Sequence, residues 1–517
     1  MTDLPWRLLL FLKDFTGQGA DAFYWFHEGQ LQETDAANVV EFSGIVVCHD
    51  FWMIRDAIFD TTGTLPGTIV DVDEFRISIS GIPEERLARE KYDVTTQLGQ
   101  YGADQEVRDI YQKMFNKGVP FNKEVATTAA TAIAAAYLDL RTQASTNGEL
   151  DRFFSIEVPV YRLLQFAMSA GISIDTTGLS EMRAQAEHDY FLLLKDYSAQ
   201  HDMPLETPSR RTIEAKLVKD GFELDEVSVE YLLEFVPHEH NFGGDTMALI
   251  AADTARKVLG SLTLSTDCTR PVVDVFGSRT SRVQLRSPSL QNIPKRYRSI
   301  ITAHSDAKLG YVDYDQFEVG IMAALSGDEE LKRLYAMGDM YELFATTHLG
   351  LTGNRKAAKQ LFLSYAYGMS FKALVDAAVS LGVDRPRAKE TFRLFQRYEA
   401  WKKEVWREFQ STDRVFTLQG NHYRRAREGQ LTRKEQRSAV SQVVQGTASL
   451  IFKRALLAAS SIEDMKIVLP MHDALLFEHK LAETPTKVVE AFQDTMSEVL
   501  CRRVVGKASI SEFADGK

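Results

Sequence analysis

Two aspartates stand where the surrounding sequence reads as buried strand. Asp313 lies in Tyr311-Val312-Asp313-Tyr314-Asp315-Gln316-Phe317-Glu318, and Asp473 lies at the apex between the apolar runs KIVLPM and ALLFEH. Burying an ionised carboxylate is costly unless a cation or hydrogen bonds compensate it. Either motif alone reads equally as a turn or capping residue. Two such residues, far apart in the chain and each on a strand edge, can share divalent metals about 3.5–4 Å apart, the arrangement used for in-line phosphoryl transfer. Mg²⁺ fits, being a hard ion that keeps waters and takes one or two carboxylates plus substrate phosphates.

Between the two aspartates lies Arg355-Lys356-Ala357-Ala358-Lys359-Gln360-Leu361-Phe362-Leu363-Ser364-Tyr365-Ala366-Tyr367-Gly368. Arg355, Lys359, Leu363 and Tyr367 recur every four residues and form one slowly drifting stripe on a helix. Two cations, an apolar residue and an aromatic in that order suit a triphosphate, a sugar and a base; an ordinary amphipathic helix with solvated bases gives the same pattern.

Composition sets the frame for these motifs. The 517 residues carry 60 Lys+Arg against 72 Asp+Glu, a net charge of −12, and 44% are hydrophobic. That is a soluble globular composition, long enough for about three to five units. Cys48, Cys268 and Cys501 are too scattered for a disulfide framework or a structural zinc site. The start, MTDLPWRLLLFLKD, lacks the layout of a secretory signal, and no stretch approaches the ~20 apolar residues of a membrane span. A cytoplasmic protein without a membrane partner is expected. The acidic balance counts against nucleic acid, yet six bases and no acid fall between Arg279 and Arg298.

Along the chain, RLLLFL, DAFYWF, SGIVVCHDFWMI and GTLPGTIVDVDEF read as strands of a mixed α/β unit. It closes on the Ala-rich helix former VATTAATAIAAAYLDLRTQA. From Glu157 the pattern turns helical, first in VPVYRLLQFAMSAG, whose Gly171 suits a C-cap, then in SEMRAQAEHDYFLLLKDYSAQ and SRRTIEAKLVKDG.

The motif set resembles the polymerase region of family A DNA polymerases, the bacterial DNA polymerase I type. Asp313-Tyr314-Asp315-Gln316-Phe317-Glu318 is similar to the family's DYSQIE. Arg355, Lys359, Leu363, Tyr367 and Gly368 follow its RxxxKxxx(F/Y)xxxYG, and His472-Asp473-Ala474 its HDE. Arg282 and Ser289-Leu290-Gln291-Asn292-Ile293-Pro294 resemble TGR…PNLQNIP. Arg437 with Gln445-Gly446-Thr447-Ala448 resembles R…QGTAA, and Ile156-Glu157-Val158-Pro159 the lead-in to the thumb. The likeness runs in the family's order from Glu157 to Phe477.

The resemblance implies an α/β multidomain fold: a right-hand polymerase with palm, fingers and thumb behind an N-terminal RNase H-like 3′→5′ exonuclease-like domain. The expected division is 1–150 exonuclease-like, 151–275 lead-in and thumb, 276–320 first part of the palm, 321–433 fingers and 434–517 second part of the palm. The implied activity is template-directed DNA synthesis on primer-template DNA with dNTPs. Its cofactors would be two Mg²⁺, for which Mn²⁺ can substitute, held by Asp313, Asp473 and the Tyr314 backbone carbonyl. Lys359 joins the two aspartates as catalytic; Arg355, Lys359, Leu363, Tyr367, Glu318, Gln316 and Tyr341 meet the dNTP, with Glu318 as the gate against ribonucleotides. Arg282, Gln291, Asn292, Arg437, Gln445 and His472 meet DNA.

Three departures bear on these roles. Ala474 replaces the family's Glu, Asp315 replaces a Ser and offers a substitute negative charge, and Leu363 replaces an aromatic. In the N-terminal region Asp14 has no partner Glu, His49-Asp50 resembles a second nuclease motif, Asp56 and Asp71 are stray carboxylates, and Tyr137-Leu138-Asp139 lacks YxxxD spacing. A degenerate, inactive exonuclease-like domain is expected. A single-subunit RNA polymerase and a catalytically impaired nucleic-acid-binding relative remain alternatives.

Overall fold

The apolar runs at the N terminus alternate between two buried faces. The computed structural model describes residues 4–13, 21–91, 93–117, 119–222, 224, 229–236, 238–304, 306–425 and 427–514, so Asp14 lies outside the described residues. Strands β1 (Trp6–Leu12), β2 (Ala22–His27), β3 (Gln30–Thr34), β4 (Ile45–Cys48) and β5 (Thr68–Asp71) form one sheet in the order β3-β2-β1-β4-β5. β1 is antiparallel to β2 and parallel to β4, and β4 is parallel to β5. Successive side chains point to opposite faces. Leu8, Leu10, Ile45 and Val47 therefore enter one core, and Leu9, Phe11, Val46 and Cys48 another. Burial on both faces is why these strands read as unbroken apolar runs. The Ala-rich helix Lys123–Thr146 covers the first face, and the helices Phe51–Thr62 and Val158–Ala170 cover the second.

Two of the expected strands run on too far. Phe51-Trp52-Met53-Ile54 and Val72-Asp73-Glu74-Phe75 are first turns of helices. After β5 the stop is a cap: the Asp71 carboxylate accepts from the backbone N–H of Asp73 (2.9 Å) and Glu74 (3.4 Å), which begins a helix where apolar content alone suggested more strand.

A helical projection follows Gly171, which ends the Val158–Ala170 helix at φ 87°. Helices Thr176–His201 and Phe242–Gly260 pack together, with Arg210–Lys219 and Val229–Phe235 against them, around a separate core containing Tyr190, Leu194, Tyr197, Ile213 and Leu249. β6 (Ile172–Ser173) pairs with β7 (Cys268–Thr269) and closes the two ends of the projection. β8 (Val272–Asp274) then pairs with β9 (Gln284–Arg286).

The second large sheet holds β10 (Lys308–Tyr314). The hairpin of β11 (Arg414–Thr417) and β12 (Gly420–Arg424) precedes its partners β13 (Lys466–Pro470), β14 (Ala474–His479) and β15 (Ala508–Ile510), and the order is β13-β14-β10-β15. The helix Arg433–Ser460, opened by a Thr432/Glu435 capping box, contributes Ile451, Phe452 and Leu456 to the same core as Val312, Leu475 and Phe477. Helices between Phe317 and Thr412 gather round Phe344, Phe362, Phe395 and Tyr398. Among the described residues no helix is long and apolar enough to cross a membrane.

The N-terminal unit is joined to this region by buried charge. Arg152 donates to Glu149 (2.6 Å), Glu157 (2.7 Å) and the Ser78 carbonyl (3.0 Å). Lys453 donates to Glu157 at 2.8 Å, and His422 meets Glu149 at 2.5 Å. Arg86, Arg152 and Lys453 all lie against the Phe276 ring. Burial pushes Glu149 up, but His422 and Arg152 outweigh it and hold the carboxyl below its ordinary range. Removing one partner of such a network strands the others without compensation. Arg152→Ala is expected to cost about 3–5 kcal/mol in urea unfolding; a loss below about 1 kcal/mol would show that water replaces the guanidinium at little cost.

Candidate active site

Register builds the floor of the site. β10 pairs with β14 so that Asp313 stands opposite Ala474 and Val312 opposite Leu475, and the Tyr314 N–H reaches the Asp473 carbonyl at 3.4 Å. Val312 and Tyr314 are buried in the core. Tyr311, Asp313 and Asp315 consequently share the other face. Asp313 and Asp473 line a cavity of about 670 Å³ together with Asp315, Glu318, Arg355 and Lys359. Asp313 Oδ1 is buried without a hydrogen-bond partner. Burial first, then Asp473 and Asp315, push the Asp313 carboxyl up to about 7. Asp473 is raised chiefly by burial, against the pull of Arg282 and His472. Bare, hard, mutually repelling oxygens of this kind suit a divalent cation such as Mg²⁺. Asp315 stays on this face with its Oδ1 accepting from Ser509 at 3.0 Å.

The opposite wall is the helix Arg355–Ala366. Arg355, Lys359 and Leu363 line the cavity from it, while Tyr367 lies one residue beyond its end as the C-cap. Arg355 Nε donates to Asp339 Oδ2 at 2.6 Å, and that aspartate also caps the next helix through the N–H groups of Tyr341 and Glu342. The buried Tyr341 ring receives both cations, Arg355 at 5.5 Å and Lys359 at 5.6 Å from its centroid. Lys359 makes no ion pair among the described residues. Gln316 fixes the start of this wall: its amide donates to the Gly338 carbonyl (2.9 Å) and accepts from the Met340 N–H (2.7 Å).

Glu318 joins three expected site residues. Its carboxylate accepts from Arg282 (2.8 Å), Gln445 (3.1 Å) and the Tyr367 hydroxyl (2.5 Å). Burial, followed by Glu318, raises the Tyr367 phenol well above its ordinary range, so it stays protonated as the donor.

A profile described as DNA polymerase family A matches residues 252–511, half of the chain. The chain belongs to DNA polymerase family A. Similar proteins include DNA polymerase I of Treponema pallidum, 26% identical over 394 residues (67% of this chain, 38% of that protein). DNA polymerase I of Pseudomonas aeruginosa is 30% identical over 244 residues (42% and 26%), and DNA polymerase theta of Caenorhabditis elegans 27% over 260 (46% and 16%). The chain thus spans well under half the length of each of these relatives. The fold is similar to the POL domain of Pol1 from M. smegmatis, solved in complex with DNA primer-template and dNTP, at TM-score 0.71 and 19% identity over 95% of this chain and 91% of that one.

The other residues that the family A resemblance singled out divide into two groups. Arg437 and Gln445, with Arg279, Arg427, Lys434 and Tyr367, line an adjoining groove of about 630 Å³, which is basic although the chain is acidic. Asn292 is exposed. His472 lines the cavity of Asp313 and Asp473 with its Nδ1 unpartnered, and burial followed by Arg282 lowers its pKa, favouring the neutral ring. Gln291 departs from the expectation of a DNA contact. It is 6% exposed, and its amide is taken by the Leu285 N–H (3.0 Å) and the carbonyls of Val283 (3.2 Å) and Pro470 (2.7 Å), so it fastens the loop to β13.

Two charged cavity residues were missed from sequence. Asp339 had a signal, an aspartate just ahead of a helix start; Lys507, which donates to the carbonyls of Tyr335 and Gly338, enters only through the pairing of β15 with β10 and had none. The repulsion at Asp313 gives a stability test. With its folded value raised above that of the unfolded chain, Asp313 costs stability progressively as the pH rises from the unfolded value of 3.8, and the full loss is reached above the folded value of about 7. Asp313→Asn is therefore expected to raise the melting temperature in EDTA at pH 8 by a few degrees, with a smaller gain at pH 6. An unchanged or lowered value at pH 8 would contradict the charge conflict.

Proposed function

We propose that this chain is a template-directed DNA polymerase that adds dNTPs to a primer 3′ hydroxyl by two-metal phosphoryl transfer. In this reading the sheet of β10 and β14 is the palm, helices of residues 321–433 are the fingers, and the helical projection is the thumb. The observation that carries it is a single cavity with Asp313 and Asp473 on its floor and Arg355 and Lys359 on its wall, in a chain of family A.

Asp313, Asp473 and the Tyr314 carbonyl would hold two Mg²⁺ ions, which when bound supply charge stabilisation at the attacking and leaving oxygens. Arg355 binds the triphosphate with its fork of donors and Lys359 with a point charge. Arg355 exchanges Asp339 for phosphate as the nucleotide enters. Glu318, anchored by Arg282, Gln445 and Tyr367, crowds the sugar 2′ position. Arg282, Gln445 and His472 offer polar groups to the minor-groove acceptors common to every Watson–Crick pair, which tests pairing without reading sequence. The basic groove neutralises backbone phosphates.

We further infer that the N-terminal unit is RNase H-like and does not proofread. Both Asp71 oxygens are spent, on capping and on the Phe51 N–H and Tyr161 hydroxyl, and Asp139 is exposed and held by Tyr101 and Gln143. Among the described residues that leaves Asp50 and Asp56 of the expected carboxylates, too few for a two-metal nuclease.

Primer extension with Mg²⁺ tests both halves. Extension is expected with dNTPs in preference to rNTPs, with no trimming of a mismatched 3′ end. Asp313→Ala and Asp473→Ala should each lose at least about 10³-fold in rate, and Lys359→Ala about 10²–10³-fold. Extension retained by either aspartate variant sinks the metal assignment, and trimming by the unaltered protein sinks the second inference.

A further inference from the structure

The C-terminal ends of β4 and β5 carry a second group of carboxylates. Ligand oxygens of Asp50, Asp73 and Asp93 lie within 4.8 Å of one another. Each aspartate spends one oxygen locally: Asp50 Oδ1 accepts from the Trp52 indole (3.0 Å), Asp73 Oδ1 from the Val94 N–H (2.6 Å) and Asp93 Oδ1 from the Thr95 N–H (2.7 Å). Their other oxygens receive no hydrogen bond among the described residues, and Asp73 Oδ2 is buried as well as unpartnered.

A buried imidazole stands beside Asp50. His49 is 1% exposed; its Nε2 is held at 2.6 Å by the Tyr111 hydroxyl, and its Nδ1, buried and unpartnered, lies 4.0 Å from Asp50 Oδ2. An imidazole anchored through one nitrogen and bare at the other is oriented as metal-binding histidines are. Two nearby cations are engaged elsewhere, Arg89 with Glu74 and Asp274 and Arg286 with Asp274, while the exposed Lys91 also lines the cavity. Burial and mutual repulsion raise both Asp50 and Asp73, and Arg286 and Arg89 offset this only in part at Asp50. It also opens on a cavity of about 870 Å³. Of the carboxylates expected for a nuclease, only Asp50 belongs to it.

We propose that Asp50, Asp73 and Asp93, with His49 Nδ1, form a site for one divalent cation. The mixed set of oxygens and one imidazole nitrogen favours Mn²⁺ over Mg²⁺ or Ca²⁺. The ion fastens the turn after β4 and the start of the helix after β5 to the segment at Asp93. That segment follows Arg86 and Arg89, which reach the Arg279 carbonyl and Asp274. The site is independent of the polymerase reading.

The test uses the full chain with Asp313→Asn and Asp473→Asn to silence the other cavity, without DNA or nucleotide. Electron paramagnetic resonance is expected to count one tightly bound Mn²⁺. Tb³⁺ should show emission sensitised by Trp52 that Trp52→Phe abolishes without loss of Mn²⁺. Asp73→Asn and Asp93→Asn keep the capping oxygens and remove only charge; each should weaken Mn²⁺ at least about tenfold. In EDTA the same variants should melt higher than their parent, a sign opposite to that of a damaged fold. His49→Ala should narrow the preference for Mn²⁺ over Mg²⁺. Absence of bound Mn²⁺ in the silenced protein, or its persistence in both aspartate variants, overturns the site.

Discussion

A slip of one residue between β10 and β14 would turn Asp313 into the core and bring Val312 or Tyr314 to the cavity, because side chains alternate along a strand. The whole site therefore depends on what holds that register. Gly310 lies beneath the Phe477 ring, where an added Cβ would approach the ring to 2.5 Å. At the other end Tyr314 stacks on Phe317 with centroids 4.1 Å apart, and its hydroxyl donates to the Phe492 carbonyl at 2.9 Å. A slip would break both contacts and leave a polar hydroxyl without its acceptor. The core side of β10 thus fixes where the carboxylates on the other side stand.

The link between the N-terminal unit and the region of β10 and β14 follows a different logic. The apolar core that runs from Leu9 and Val46 to Val312 and Leu475 would by itself hold the units together at many nearby orientations, whereas the pairs from Arg152 and Lys453 to Glu149 and Glu157 have a specific geometry that few arrangements satisfy. Buried ion pairs contribute little net stability because desolvation offsets their attraction. Their consequence here is definition. Glu157 stands at the start of the Val158–Ala170 helix and Lys453 lies within Arg433–Ser460, the helix that carries Arg437 and Gln445 to the basic groove.

Much of this was legible in the sequence, and what was not shares a cause. Strands with continuous apolar runs, the Ala-rich helix and the helical stripe through Arg355 are set by local pattern and are found where that pattern puts them. The roles of Gln291 and Asp339 depend on partners far along the chain. Gln291 is buried because Pro470, 179 residues away, presents a carbonyl to it, and Asp339 is bound to Arg355 because a folded turn brings them together. The ends of β4 and β5 were misread because Asp50 at φ 49° and the Asp71 cap redirect the chain within a residue or two, against an apolar pattern that runs on. Net charge misled in the same way, since it averages the basic groove over the acids elsewhere.

What separates a carboxylate open to a cation from one already balanced within the fold is the saturation of its oxygens, which neither composition nor residue type records. Glu318 and Asp71 are both partly or wholly buried, yet both oxygens of each accept hydrogen bonds, so their charge is balanced within the protein. Asp313 and Asp73 each keep a buried oxygen with no donor, at a place where another carboxylate adds repulsion to desolvation. Relief of such a penalty from outside the protein takes a compensating positive charge. Divalent cations are the chemical class that supplies it. Glu74 and Glu85 also keep a buried oxygen without a donor, but each is paired with an arginine, Arg89 and Arg76, whereas Asp313 and Asp73 have no ion pair among the described residues. A bare buried oxygen without an ion pair thus selects Asp313 from a chain with 72 acidic residues and, without reference to family, selects Asp73.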